Sequence, residues 1–134
     1  MIELAKDSID LGIVVRDADA MVAFYRDVLG FEHVGSMPVP PNGRMERLLC
    51  GSTLVKLVAY AEPPAAANPP NGLMGGSGLR YLTIHVRDLD AVVATVREAG
   101  AKVVIGPREI RPGVTIAMVE DPDGNWVEFL HVAS

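Results

Sequence analysis

At 134 residues, and with about 150 residues in a typical domain, the chain is one compact domain or two small half-domains sharing a core. Hydrophobic residues make up 49% and charged residues 22%, which excludes intrinsic disorder and is enough apolar material for a continuous core. The net charge of −5, with no long run of like charge, excludes nucleic acid as a partner, and the longest uncharged stretch, Pro63 to Leu79, carries four prolines and four glycines, so no membrane span is expected.

From the N-terminus, Glu3, Lys6 and Asp7 stand where a secretory apolar segment would have to lie. A lone Cys50 can build neither an internal disulfide nor a zinc cluster, so a cytoplasmic protein is expected. The first regular element is the β-branched run through Ile13, Val14 and Val15. Asp17 then caps a helix whose apolar face carries Met21, Phe24, Tyr25 and Val28, and Gly30 ends it. Alternation returns over 44–50 and 53–60, joined at Gly51-Ser52.

The segment 61–78, rich in Pro, Ala, Asn and Gly, has little capacity for regular structure. It reads either as a plain connection or as a lid over a site. Beyond it the chain repeats itself: Ile13-Val14-Val15-Arg16-Asp17-Ala18-Asp19-Ala20 is answered by Ile84-His85-Val86-Arg87-Asp88-Leu89-Asp90-Ala91, at a constant offset of 71 residues. In the second copy Asp88 is the cap, Leu89, Val92, Val93, Val96 and Ala99 form the helix's apolar face, and Gly100 ends it. Strands follow over 114–120 and 126–132, joined through Asp121-Pro122-Asp123-Gly124-Asn125. A loop is expected from Gly106 to Gly113, flanked by Arg108 and Arg111, which suit the anionic tail of a ligand as readily as open solvent. Each half thus reads as strand, helix, strand, strand, strand, with modules at 8–60 and 79–134.

Side chains alternate across a strand, so each strand divides into two faces. One face holds Leu11, Ile13, Val15, Val55, Leu57, Leu82, Ile84, Val86, Val127 and Phe129, the set expected to pack on the helices. The other holds Asp10, Gly12, Val14, Leu54, Lys56, Tyr81, Thr83, His85, Trp126, Glu128 and Leu130. A two-residue turn at 51–52 sets Arg47 opposite Lys56 on this second face. Two cations in that position call for an anion, supplied by Asp10, by Glu128 or by an acidic ligand. Two such modules bury more surface by closing around a shared cleft than by leaving these faces in solvent. Met45, Leu49, Leu54, Trp126 and Leu130 would wall it, and Cys50 falls on the helix side as core.

The run Val15-Arg16-Asp17 through Phe24-Tyr25-Arg26-Asp27-Val28-Leu29-Gly30-Phe31, with Asp121-Pro122-Asp123-Gly124-Asn125-Trp126-Val127-Glu128, resembles the vicinal oxygen chelate superfamily. That superfamily includes glyoxalase I, methylmalonyl-CoA epimerase, extradiol dioxygenases, fosfomycin-resistance transferases and bleomycin-binding proteins. The resemblance covers nearly the whole chain and implies a single α+β domain over 1–134. Its paired βαβββ modules would form a curved, partly open barrel-like sheet with helices on the outer face. It does not choose the reaction.

Members that use a metal supply ligands from the first and last strands of each module, places held here by Asp10, Lys56, Tyr81 and Glu128. Only Glu128 is of the usual type. Asp10 is a plausible oxygen donor, Lys56 repels a cation and Tyr81 is a poor ligand. No cofactor is therefore expected. If a divalent ion such as Mn, Ni, Zn, Mg or Fe binds, Glu128 and Asp10 are its protein ligands.

Without a metal, the resemblance implies a lyase or isomerase acting beside a carbonyl of a small acidic metabolite. Glu128 or Asp10 would be the base, Lys56 and Arg47 the cations that hold an oxyanion or carboxylate, Tyr81 a hydrogen-bond donor to the same oxygen, and His85 a second acid or base. Lys56 is equally suited to a fixed network with Glu128 and Asp10. Arg47, Tyr81, Trp126 and Leu54 are the expected substrate contacts, on an anionic small molecule and in a homodimer. Two alternatives stand beside this: a non-catalytic binder that sequesters an antibiotic as the bleomycin-binding members do, and a metal-dependent epimerase of the methylmalonyl-CoA type.

Overall fold

The computed structural model describes residues 1–134. It comprises two compact units, Met1–Ala65 and Ala66–Ser134, whose boundary falls inside the segment 61–78. Each unit is an open four-stranded mixed sheet with helical structure on one face, so the architecture is α+β. No helix is long and apolar enough to cross a membrane.

In the first unit, β1 (Leu11–Val14), β2 (Glu32–Val39), β3 (Gly43–Cys50) and β4 (Thr53–Tyr60) form a sheet ordered β1-β4-β3-β2. β1 runs parallel to β4 because a helical crossover follows β1, and the other pairs are antiparallel. The crossover starts at the expected cap: the Asp17 carboxylate accepts from the Ala20 N–H at 3.0 Å.

One regular helix was expected as far as Gly30. The structure instead has α1 (Ala18–Val22) passing into a π-helical segment (Ala23–Val28). The wider turn lets two consecutive bulky rings both face the core, where Phe24 and Tyr25 pack edge to face with centroids 5.0 Å apart and Phe31 adds a third ring 5.3 Å from Tyr25. Leu48, Val55 and Leu57 from the sheet complete this core. The tight turn after β3 uses Gly51 at φ +58°, a conformation glycine adopts without steric cost.

The second unit repeats the plan with β5 (Tyr81–His85), β6 (Lys102–Arg111), β7 (Val114–Glu120) and β8 (Trp126–Val132) in the order β5-β8-β7-β6. The helix α2 (Leu89–Glu98) is capped by Asp88, which accepts from the Ala91 N–H. It buries Leu89, Val93 and Val96 against the face that carries Val127 and Phe129. Two expectations are corrected here. Gly106 to Gly113 is not a loop: Arg108 and Arg111 lie in β6 and pair with Ile116 and Val114, the strand following β7 through repeated register shifts. The segment 61–78 also carries a short 3-10 turn at Gly72–Gly75.

The turn between β7 and β8 is organised by Asp121, only 3% exposed. One of its oxygens accepts from the backbone N–H groups of Asp123 and Asn125, both at 2.9 Å, and the Asn125 side-chain amide donates to the same carboxylate. A buried carboxylate ringed by donors sets where β8, and with it Trp126 and Glu128, begins.

Candidate functional site

In the first unit, β3 and β4 pair so that Arg47 and Lys56 are directly opposite, as the two-residue turn requires. Both are half-buried, and neither belongs to any of the chain's salt bridges. Like charges in opposed positions repel, so this spot attracts an anion. Leu54 is half-buried beside them, paired with Leu49.

Asp10 makes its direct ion pair with Lys6, while Lys56 acts on it only through its charge. Its Oδ1 lies 2.6 Å from the Lys6 ammonium and accepts from the Leu54 N–H at 3.1 Å. The Lys6 contact, and after it the Leu54 N–H, hold the Asp10 carboxyl below the usual carboxylate range. A carboxylate held in that way is a weak base, which removes the reason to give Asp10 the proton-moving role. In the parallel register the neighbour of Lys56 on β1 is Gly12.

In the second unit the corresponding neighbour of Glu128 on β5 is Thr83, and Tyr81 sits beside Trp126. The Thr83 hydroxyl donates to Glu128 Oε1 at 2.8 Å. Strand alternation puts Thr83 on this face without assigning it a role; the signal that singles it out is the 71-residue offset carried from Gly12, the neighbour of Lys56. Tyr81 is 51% exposed. The Trp126 indole N–H donates to Glu120 Oε1 at 3.1 Å, and the six-membered edge of the ring lies against Gly72.

His85 is opposite Leu130, two residues beyond Thr83 on the same face. It lines an open depression at the strand ends together with Arg87, Leu130 and His131. His131 donates from Nδ1 to the Val86 carbonyl at 3.0 Å. His85 is therefore grouped with the strand-end residues, and the side chain bonded to Glu128 is that of Thr83.

Cys50 is only partly buried, and that burial pushes its thiol up, away from nucleophile chemistry.

These donors do not suit a divalent ion. The four ligand places hold an aspartate bonded to Lys6, an ammonium, an exposed phenol and a glutamate bonded to Thr83. Neither unit gathers three or more His, Cys, Asp or Glu side chains.

A family model for the glyoxalase/bleomycin resistance protein/dioxygenase superfamily matches residues 8–129, and the chain belongs to that superfamily. Among individual relatives, it is 29% identical over 130 residues to a probable lactoylglutathione lyase of Synechocystis, covering 91% of this chain and 92% of that one. Of solved structures, the trypanothione-dependent glyoxalase I of Leishmania major is 25% identical, with a TM-score of 0.71 over 95% of this chain and 87% of that one. TnmS3, an antibiotic binding protein from Streptomyces, is also 25% identical, with a TM-score of 0.72 over 98% of this chain and all of that one (100%).

Proposed function

We propose that the protein is a glyoxalase-like lyase or isomerase that moves a proton beside a carbonyl of a small acidic metabolite, without a divalent ion. The observation that carries this is the Thr83–Glu128 pair: a half-buried carboxylate on the polar face of β8, aimed by a hydroxyl at 2.8 Å and engaged by no cation.

In the proposed reaction Glu128 takes a proton from the carbon next to the carbonyl. The C–H electron pair moves into the new C=C bond, the carbonyl becomes an enolate, and the proton is returned to carbon or oxygen on collapse. Tyr81, on the same face of β5, is the hydrogen-bond donor available to the developing oxyanion. The opposed Arg47 and Lys56 of the first unit, neither of which belongs to a salt bridge, support an anionic ligand class. The lactoylglutathione lyase relative supports the reaction type.

A panel of small 2-oxo acids, hemithioacetals and thioesters in deuterated water, followed by NMR for exchange at the carbon beside the carbonyl, tests the reading. Glu128→Gln should lower the rate by about a hundred- to ten-thousandfold, the usual contribution of one general base. Undiminished exchange in that variant would refute the assignment. The likeness to TnmS3 favours one second reading, a binder that leaves its ligand unchanged; it is told apart by ligand binding that survives Glu128→Gln with no exchange in either protein.

A further inference from the structure

In the second unit, residues 68–79 form a strap held at two places. At one end the Asn68 amide donates to the Asp123 carbonyl at 2.7 Å and to Asn125 Oδ1 at 3.2 Å. In the middle, Gly72 lies flat on Trp126: a Cβ there would come within 2.1 Å of Cζ2 and 2.3 Å of Cη2. The Gly72 carbonyl accepts from Arg80 through Nε at 3.1 Å and also through Nη2.

Of the strap's large apolar side chains only Leu73, 39% exposed, is mostly covered; Met74 is 91% and Leu79 92% exposed. Few buried contacts therefore oppose its release, as is usual for segments that open locally.

Arg80 is the unusual member. It is half-buried, it makes no salt bridge, and its side chain's hydrogen-bond partner is one neutral carbonyl. Guanidinium groups removed from water are normally matched to an anion, and a carboxylate meets such a fork with two parallel N–H···O bonds and an opposite charge, which a single neutral carbonyl does not supply. Gly72 presents a carbonyl to the cation and a bare Cα to the indole, which is how a small carboxylate with an apolar body would sit.

We infer that Arg80 and Trp126 form a binding site for the carboxylate and adjoining apolar group of a small organic acid, and that Gly72 fills this site in the free chain. Binding exchanges a neutral oxygen for a charged one on Arg80 and lifts the strap from the ring. This inference goes beyond the proton transfer assigned to Glu128 and does not require it.

Trp126 is the sole tryptophan, so its fluorescence reports the exchange directly. The intact chain is titrated with phenylacetate and, in parallel, with uncharged phenylacetamide, and far-UV circular dichroism verifies that every variant is folded. Phenylacetate should give a saturable change that phenylacetamide does not. Arg80→Met should weaken it by about tenfold or more, and Arg80→Lys, which keeps the charge but loses the fork, should fall between.

Gly72→Ala cannot seat its methyl group on the ring, and its φ of +54° disfavours alanine, so the strap should stand open. Because apparent affinity scales with the competent fraction, this variant should bind phenylacetate about five- to tenfold tighter than the parent. The inference is overturned by equal binding of phenylacetamide, by unchanged affinity in Arg80→Met, by unaltered or weaker binding in Gly72→Ala, or by no saturable response in both parent and Gly72→Ala. Failure of the Glu128→Gln exchange test leaves each of these outcomes readable.

Discussion

Asp121 offers the sharpest test of how the second unit holds its site residues in place. Replacing it with alanine strips acceptors from two backbone N–H groups and one side-chain amide around a position that is only 3% exposed. An unsatisfied buried donor costs about 1–3 kcal/mol, and water reaches part of this turn, so the total expected for Asp121→Ala is about 3 kcal/mol. With a urea slope of about 2 kcal/mol/M, the unfolding midpoint should drop by about 1.5 M at unchanged slope.

Asparagine separates the contributions. Asp121→Asn keeps one oxygen for both backbone N–H groups but turns an NH2 toward the Asn125 amide, which cannot flip without giving up its bond to Asn68. Its expected cost is therefore about half that of alanine, roughly 1–2 kcal/mol. A midpoint shift below about 0.5 M for alanine, or equal shifts for the two variants, would refute the hub role of this carboxylate.

Two further outcomes are expected. Asp10 is held below its ordinary 3.8 first by Lys6, so its contribution to stability is present above that value and is lost as pH falls through the lowered one. Lys6→Met should move the Asp10 midpoint up toward 3.8, leaving the share owed to the Leu54 N–H, in a carboxyl NMR titration; an unmoved midpoint would contradict the pairing. Burial holds the Cys50 thiol above its ordinary 9.0, so near neutral pH it should react with a disulfide reagent more slowly than free cysteine, reaching the free rate in urea. Equal rates in the folded chain would show an open thiol.

Much of this molecule is written in local pattern. The offset between Ile13 and Ile84 announces two copies, Asp17 and Asp88 start their helices by capping, and a two-residue turn after Cys50 is enough to set Arg47 against Lys56. The caps and the turn depend on residues a few positions apart, where backbone geometry leaves little choice, and the repeat is read from two matching runs 71 residues apart.

Three features became legible only in three dimensions. Asp10 chose Lys6, a residue on its own N-terminal segment, because strand alternation says which face a side chain takes but not which rotamer or partner wins there. Thr83 became the partner of Glu128 through the register of a parallel pair whose strands lie more than forty residues apart. The sequence leaves the segment 61–78 open between connection and lid, and its seat on Trp126 is not legible there because a Pro- and Gly-rich run has no periodicity to read. Its position comes from one guanidinium and one ring that the sheet brings to the same place.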